Sequence, residues 1–322
     1  MPSSLPGMHA VTIVDGALEW REHPDPEPGP GQVVVGVRAA GINGADLAQR
    51  RGVYPPPPGW PVDIPGLELA GTVVGRGAGA DRFAVGDRVM GIVGGGGQAE
   101  LAVTDETTLL PVPDSMSWVE AGGCPEVFTT AYDALFSQAG LVSGEHVLVT
   151  DGAGDVGTAG IQLAACAGAR VTASVRNPSL FEAVQALGAQ AVIPPDTVGS
   201  SGPYDVVLEL VGAASLTGVI PALGTGARVV VIGVSGGGAR LEISLMDLMS
   251  RRARIGGSTL RARPLAEKTT IARTMEAEVV PLLADRRAVV PLVATYPMAE
   301  ADQGYERFAA GGKVGKIVLV ND

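Results

Sequence analysis

The chain has 322 residues, 46% hydrophobic and 18% charged, a composition that excludes a disordered chain and a length that accommodates two domains with a core each. Its formal net charge of −11 repels phosphate backbones and argues against nucleic acid as a main partner; the one tight basic cluster is Arg251, Arg252 and Arg254. Two cysteines, Cys124 and Cys166, cannot build a disulfide framework or a structural zinc cluster, which fits a reducing compartment.

No uninterrupted apolar run reaches the roughly 18 residues of a membrane span. The opening MPSSLPG lacks the charged and apolar regions of a signal peptide, so no membrane association and a cytoplasmic location are expected. That Pro-, Ser- and Gly-rich start is expected to fray, with the apolar pattern beginning at Val11, Ile13 and Val14. From His9 to Ala40, short β-like runs (AVTIV, VVVGVRAA) alternate with turns. Gly41 to Gly52 reads as a polar loop entering a short helix. Tyr54 then precedes Pro55 to Pro58, a stiff segment expected to form a rigid internal loop. Strands are predicted at Leu69 to Val74 and Arg88 to Val93. Gly94 to Gly97 permits either a flexible hairpin or a close backbone approach to a ligand. The stretch from Leu109 moves from extended chain into helical spacing, with Asp114 or Ser115 as helix cap.

Val147 to Ala164 organises the second half. Val147, Leu148 and Val149 read as a buried parallel strand, and Gly152, Gly154 and Gly157 follow at G-x-G-x-x-G spacing before a helix-like pattern. A dinucleotide pyrophosphate rests on the backbone amides of such a helix start, here those of Asp155, Val156 and Gly157, and side chains at the first glycines would hold it away. Strands and helices then alternate: RVTASV, a helix near Leu180 to Leu187, DVVLEL, a helix near Ala214 to Leu223, and RVVVIGV. Such alternation predicts an α/β fold with a doubly wound parallel (Rossmann) sheet. After RIGGS, one longer helix is expected through Leu283, and GKIVLV closes the chain as a strand. The expected organisation is a mostly β catalytic domain of residues 1–125 and 262–322, with a nucleotide-binding domain of residues 126–261 inserted and a cleft where they meet.

The order of parts, with GINGADLAQRRGVYPPPPG, IPGLELAGTV, VGDRVMG, GGGGQAE, PEVFTTAYDAL, the glycine turn and GKVGKIVLV, resembles the quinone oxidoreductases, the zinc-free branch of the medium-chain dehydrogenase/reductase superfamily. The resemblance implies a GroES-like catalytic domain, a homodimer with a contact near Arg254 to Leu260, and a quinone or enone as substrate. In zinc-dependent relatives a histidine ligand stands where this chain has Leu67, and the cysteine ligands fall at Asn43 and near Glu126, so no catalytic metal is expected.

An acid about 20 residues beyond the glycine turn would bind an NAD ribose. Ser174, Arg176 and Asn177 occupy that neighbourhood, and a guanidinium suits a 2′-phosphate, so NADPH is the expected cofactor. A lysine and a tyrosine that hold the 2′-phosphate in similar enzymes are replaced by Leu180 and Pro195. Asn43 and Tyr54 match family positions facing the substrate, with a loop-capping amide and a ring packed on the proline loop as the structural alternatives. Thr129 and Thr130 match positions beside the nicotinamide, with helix-entry capping as the alternative. Gly233, Val234 and Ser235 fall at the carboxyl end of a parallel strand, where cofactor contact is expected. Lys316 matches a family position near the cleft. Three activities stay open: NADPH-dependent quinone reduction, enoyl or alkenal double-bond reduction, and an NADPH-loaded structural or RNA-binding role with little turnover.

Overall fold

The computed structural model describes residues 7–234, 236 and 238–321. The frayed start expected for the first six residues lies outside them. Two compact units are present: Met1–Glu126 with Leu260–Gly311 and Lys316–Asp322, and Val127–Thr259 with Gly312–Gly315.

In the first unit, β1 (Gly7–Val14) and β2 (Ala17–Pro24) form an antiparallel hairpin turned by Asp15 and Gly16, both at positive φ. The main sheet is built from β3 (Gln32–Gly41), β4 (Glu68–Arg76), β5 (Arg88–Ile92), β6 (Leu101–Asp105) and β7 (Leu109–Pro111), all antiparallel neighbours. Inward residues Val33, Val35 and Val37 of β3 pack with Leu69 and Val73 of β4 in the core. Between β3 and β4 run α1 (Gly44–Arg50) and the proline loop. The flexible hairpin expected at Gly94 to Gly97 is not formed, because all four glycines are buried against the unit's own chain. A Cβ at Gly94 would lie 2.6 Å from the Trp60 ring, and one at Gly97 3.0 Å from the Gly66 carbonyl. Glycine is required here so that the run can seat the proline loop. The next helix, α2 (Trp118–Gly122), is capped by Ser117 rather than by Asp114 or Ser115. Glu120 at the third helical position accepts from the Ser117 amide at 2.9 Å, and this reciprocal box outweighs the earlier polar residues.

The second unit opens with α3 (Pro125–Tyr132), most of which belongs to it. Its strands are β8 (His146–Val149), β9 (Arg170–Ser174), β10 (Ala191–Ile193), β11 (Tyr204–Glu209), β12 (Leu223–Val231) and β13 (Arg254–Gly257). They form one parallel sheet in the order β10-β9-β8-β11-β12-β13, the 3-2-1-4-5-6 order of a dinucleotide fold. Val147, Leu148 and Val149 are fully buried in the middle of it. Strands covered on both faces read as continuous apolar runs, which is why this one was conspicuous in the sequence. The connecting helices include α4 (Asp155–Cys166), α5 (Phe181–Gln185), α6 (Ala213–Val219) and α7 (Leu245–Arg251).

Back in the first unit, the single helix expected through Leu283 is two, α8 (Leu265–Glu278) and α9 (Val280–Ala284). Pro281 has no N–H to donate to the preceding turn, so the helix is interrupted at Val279. The strand β14 (Leu292–Pro297), the helix α10 (Ala301–Ala309) and the strand β15 (Lys316–Val320) complete the unit. β15 pairs with β14 in parallel and with β3 in antiparallel, so the last strand is seated inside the sheet of the first.

Candidate active site

In the second unit the chain leaves β8 through Thr150 and turns at Asp151, whose φ is +49°. Close packing accounts for the glycines. A Cβ at Gly152 would lie 2.8 Å from the Ala173 Cβ, and one at Gly157 only 2.3 Å from the Asp151 carbonyl oxygen. Those two glycines let α4 start against the strand ends. Gly154 is the helix N-cap and no side chain caps it, so the N-terminus presents backbone donors, as an anion site requires.

Two carboxylates stand at this turn. Asp155, in the first turn of α4, is neutralised by Lys313, whose Nζ lies 2.5 Å from its Oδ1 and donates to the Gly315 carbonyl at 2.7 Å. Asp151 folds its carboxylate over Gly154, where a Cβ would meet Oδ2 at 2.4 Å. The residue is exposed as a whole, yet crowding of the carboxyl itself pushes its pKa up, and the Arg176 charge pulls it part of the way back. Ser174 ends β9, buried, and its carbonyl accepts from the Gly152 amide at 2.9 Å. Arg176 is exposed two residues further on, without a hydrogen-bond or ion-pair partner among the described residues. Asn177 accepts from the Ser179 amide at 3.1 Å and caps the following turn.

At the far side of the switch point, Gly233 follows β12 so closely on β11 that a Cβ would lie 2.3 Å from the Leu210 carbonyl oxygen. Val234 beside it is exposed. Ser235 lies outside the described residues. Buried Glu209 fixes this edge by accepting from the Val211 and Gly212 amides at 2.7 and 2.9 Å. Thr129 and Thr130 are buried within α3, well past its first residue, so neither caps the helix entry.

The polar residues predicted in the first unit lie in a buried network. Asn43 is the N-cap of α1, yet its backbone does the capping: the amide donates to Asp46 Oδ2 at 2.8 Å. Its side-chain amide turns inward, donating to Glu68 Oε1 at 2.9 Å and accepting from Lys316 Nζ at 2.8 Å. Lys316 is 1% exposed, pairs with Glu68 at 2.7 Å and donates to the Ile42 carbonyl at 3.0 Å. The second Glu68 oxygen accepts from the Glu126 amide at 2.9 Å. Asp46 is fully buried, which pushes its pKa up to about 7 against the two backbone amides, of Asn43 and Gly66, that favour its charge.

Tyr54 is half-buried, and Arg261 holds it. The guanidinium sits 5.1 Å from the ring centroid and Nη1 donates to the Tyr54 carbonyl at 2.9 Å. Structure thus brings together Gly152, Gly154, Asp155, Gly157, Ser174 and Arg176 in one unit and Asn43 with Lys316 in the other. Glu68, Asp46, Arg261 and Lys313 escaped the sequence reading. One of them had a signal: Glu68 is a lone acid in apolar LELAG, just as its partner Lys316, which the sequence reading did single out, is a lone base opening apolar IVLV. Such charges are seldom buried unless paired. Among the described residues no group of three or more His, Cys, Asp or Glu is arranged to hold a metal, and no helix is long and apolar enough to cross a membrane.

A 3-2-1-4-5-6 sheet with an uncapped glycine turn defines a dinucleotide-binding unit, here joined in one chain to a mostly β unit with a GroES-like arrangement. The chain belongs to the medium-chain dehydrogenase/reductase superfamily of oxidoreductases: it matches the alcohol dehydrogenase GroES-like domain over residues 29–114 and the zinc-binding dehydrogenase domain over residues 156–280. It is 29% identical to quinone oxidoreductase of Rattus norvegicus, over 92% of this chain and 91% of that protein. It is 31% identical to the pikromycin polyketide synthase component PikAII of Streptomyces venezuelae, over 99% of this chain but 8% of that much longer protein. An alcohol dehydrogenase superfamily protein from Novosphingobium aromaticivorans superposes with a TM-score of 0.85 at 29% identity, covering 98% of this chain and all of that one. Membership implies a nicotinamide dinucleotide as cofactor, and the glycine turn fits one, since no side chain caps the start of α4 and the Asp155 charge is met by Lys313.

Proposed function

We propose that the protein reduces quinones or similarly conjugated carbonyl compounds with NADPH and without a metal ion. The observation that carries the reading is the donor set around Glu68: Leu67 is a core side chain, the Asn43 amide is engaged on both sides, and the Lys316 ammonium holds the carboxylate. A divalent ion there would face a buried ammonium, and among the described residues no three His, Cys, Asp or Glu side chains are grouped to hold it. Bound NADPH supplies the hydride. Tyr54 supports the reading as the phenol that hydrogen-bonds the acceptor's oxygen and donates a proton as charge develops there. Arg176, exposed just beyond β9 and without a hydrogen-bond or ion-pair partner among the described residues, is the residue proposed to read the 2′-phosphate.

Steady-state assays with NADPH and NADH against ortho- and para-quinones and against enones and enoyl thioesters test both halves. NADPH oxidation with the quinones is expected, and Arg176→Ala should weaken NADPH binding about tenfold while leaving NADH within a factor of two. Equal loss for both cofactors removes the role of Arg176. A second reading, enoyl or alkenal double-bond reduction, is favoured by the likeness to a polyketide synthase component and is chosen if the thioesters alone turn over.

A homodimer joined along β13 is proposed with it. β13 is the last strand of its sheet and among the described residues pairs on one side only, with β12. α7 leads into it through Arg252 and Ala253 and leaves Leu245, Met246 and Met249 about two-thirds exposed, an apolar face close in sequence to that strand. Light scattering after gel filtration should give twice the chain mass, and Met246→Glu with Met249→Glu should shift it to the monomer. A wild-type monomer at micromolar concentration refutes the pairing.

A further inference from the structure

Arg261 is 4% exposed, and every acceptor it touches is neutral: Nε donates to the Gly94 carbonyl at 2.8 Å, Nη1 to the Tyr54 carbonyl at 2.9 Å and Nη2 to Gln49 Oε1 at 2.5 Å. A guanidinium buried this deeply is ordinarily paired with a carboxylate. Here no carboxylate touches it among the described residues; Asp46 and Glu126 act on it only at a distance. Lys268 adds a second positive charge nearby. It is half-buried at the start of α8, and its ammonium has no hydrogen-bond or ion-pair partner among the described residues.

Three effects oppose a charged lysine there. Burial desolvates it, the Arg261 charge repels it, and the helix N-terminus presents the wrong end of its dipole; only Glu126 favours it, again at a distance. In a chain with a net charge of −11, any of its many carboxylates would relieve the pair if stability alone were at stake. Charge of one sign with no carboxylate in contact, and with its Arg261 guanidinium 5.1 Å from the Tyr54 ring, is what a site for the opposite charge looks like before the ligand arrives.

We propose that the acceptor bound at Tyr54 carries an anionic substituent, a carboxylate or a group of like charge, which Lys268 contacts while the Arg261 charge strengthens the field. This rests on the reductase reading for the acceptor, but not for the anion. The test uses two probes that differ only in charge and cannot be reduced, naphthalene-2-sulfonate and naphthalene-2-sulfonamide, titrated calorimetrically into the full chain with NADPH present. Wild type should bind the sulfonate at least about tenfold more tightly. Lys268→Gln should abolish that preference, leave NADPH affinity unchanged and leave the thermal midpoint equal or raised, because it removes a strained charge. A residue with a merely structural role would lower the midpoint instead.

Equal binding of the two probes by wild type overturns the proposal, as does a preference that survives in Lys268→Gln. A loss confined to NADPH gives the lysine to the cofactor and overturns it too. If no quinone or enone turns over, yet the probe preference exists and disappears in Lys268→Gln, the reductase reading fails while the anion site stands.

Discussion

Replacing Lys316 with methionine should destabilise the first unit by about 3–5 kcal/mol, the usual consequence of stripping a buried carboxylate of its cation. Methionine fills similar volume, so the loss isolates charge and hydrogen bonding from packing. In the native chain Lys316 is 1% and Glu68 0% exposed, at 2.7 Å, and the same ammonium serves the Ile42 carbonyl and the Asn43 amide oxygen. Without it, one oxygen of Glu68 keeps only the Asn43 amide and two further acceptors are orphaned. Adding Glu68→Gln to Lys316→Met should recover part of the loss, because the unpaired buried charge is gone: the glutamine oxygen can accept from the Glu126 amide, and its NH2 group can donate to Asn43 Oδ1 once that side chain turns over. The three tryptophans, Trp20, Trp60 and Trp118, all lie in the first unit, so their fluorescence in urea reports its unfolding separately. A loss below about 1 kcal/mol for Lys316→Met would mean that the pair is not what holds Asn43 in place.

That network marks where the sequence could be read and where it could not. Asn43 and Lys316 were found through resemblance, as residues expected to face a ligand. The structure buries both and commits their polar atoms to each other and to Glu68. The partnership joins β3, β4 and β15, brought together from residue 41 to residue 316 by an antiparallel pairing that no local pattern announces. Arg261 is the same case: its acceptors, Gln49, Tyr54 and Gly94, lie more than 160 residues earlier in the chain.

Elements with a period were legible. β8 and α4 announced themselves as an apolar run, a glycine turn and a helix. β2 did not: LEWREH alternates, but its outward residues are charged and its inward ones pack at the rim of the core, so the strand exists by pairing with β1. β14 has no fully buried residue and is a strand because β15 lies beside it. α10 was likewise unannounced, Gly304 in its middle being a poor helix former. Glycine lets the helix pack closely there, since a Cβ would stand 2.9 Å from the Ile42 Cδ1 and 3.1 Å from the Leu319 Cδ2, again a tertiary effect.

Gly157→Ala should weaken NADPH binding by about 100-fold, although it adds a single methyl group. The atom such a methyl meets is the Asp151 carbonyl oxygen, at 2.3 Å, with the Gly152 Cα next at 2.9 Å. Both belong to backbone, so neither can swing aside; relief requires α4 to shift from the end of β8 or the turn to open, and either displaces the amides on which a pyrophosphate rests. Gly160→Ala is the matched control. It lies one turn further along the same helix and is equally buried, but its methyl would meet the Leu208 Cδ2 at 2.6 Å, the far end of a side chain that can rotate. That variant should lose stability in the second unit and keep NADPH affinity within about threefold. Nicotinamide fluorescence on titration measures both, and the tryptophan signal, confined to the first unit, shows whether the rest of the chain remains folded. If Gly157→Ala binds NADPH as tightly as Gly160→Ala does, the close approach of α4 to β8 is not what forms the phosphate site, and the glycine turn owes its spacing to packing alone.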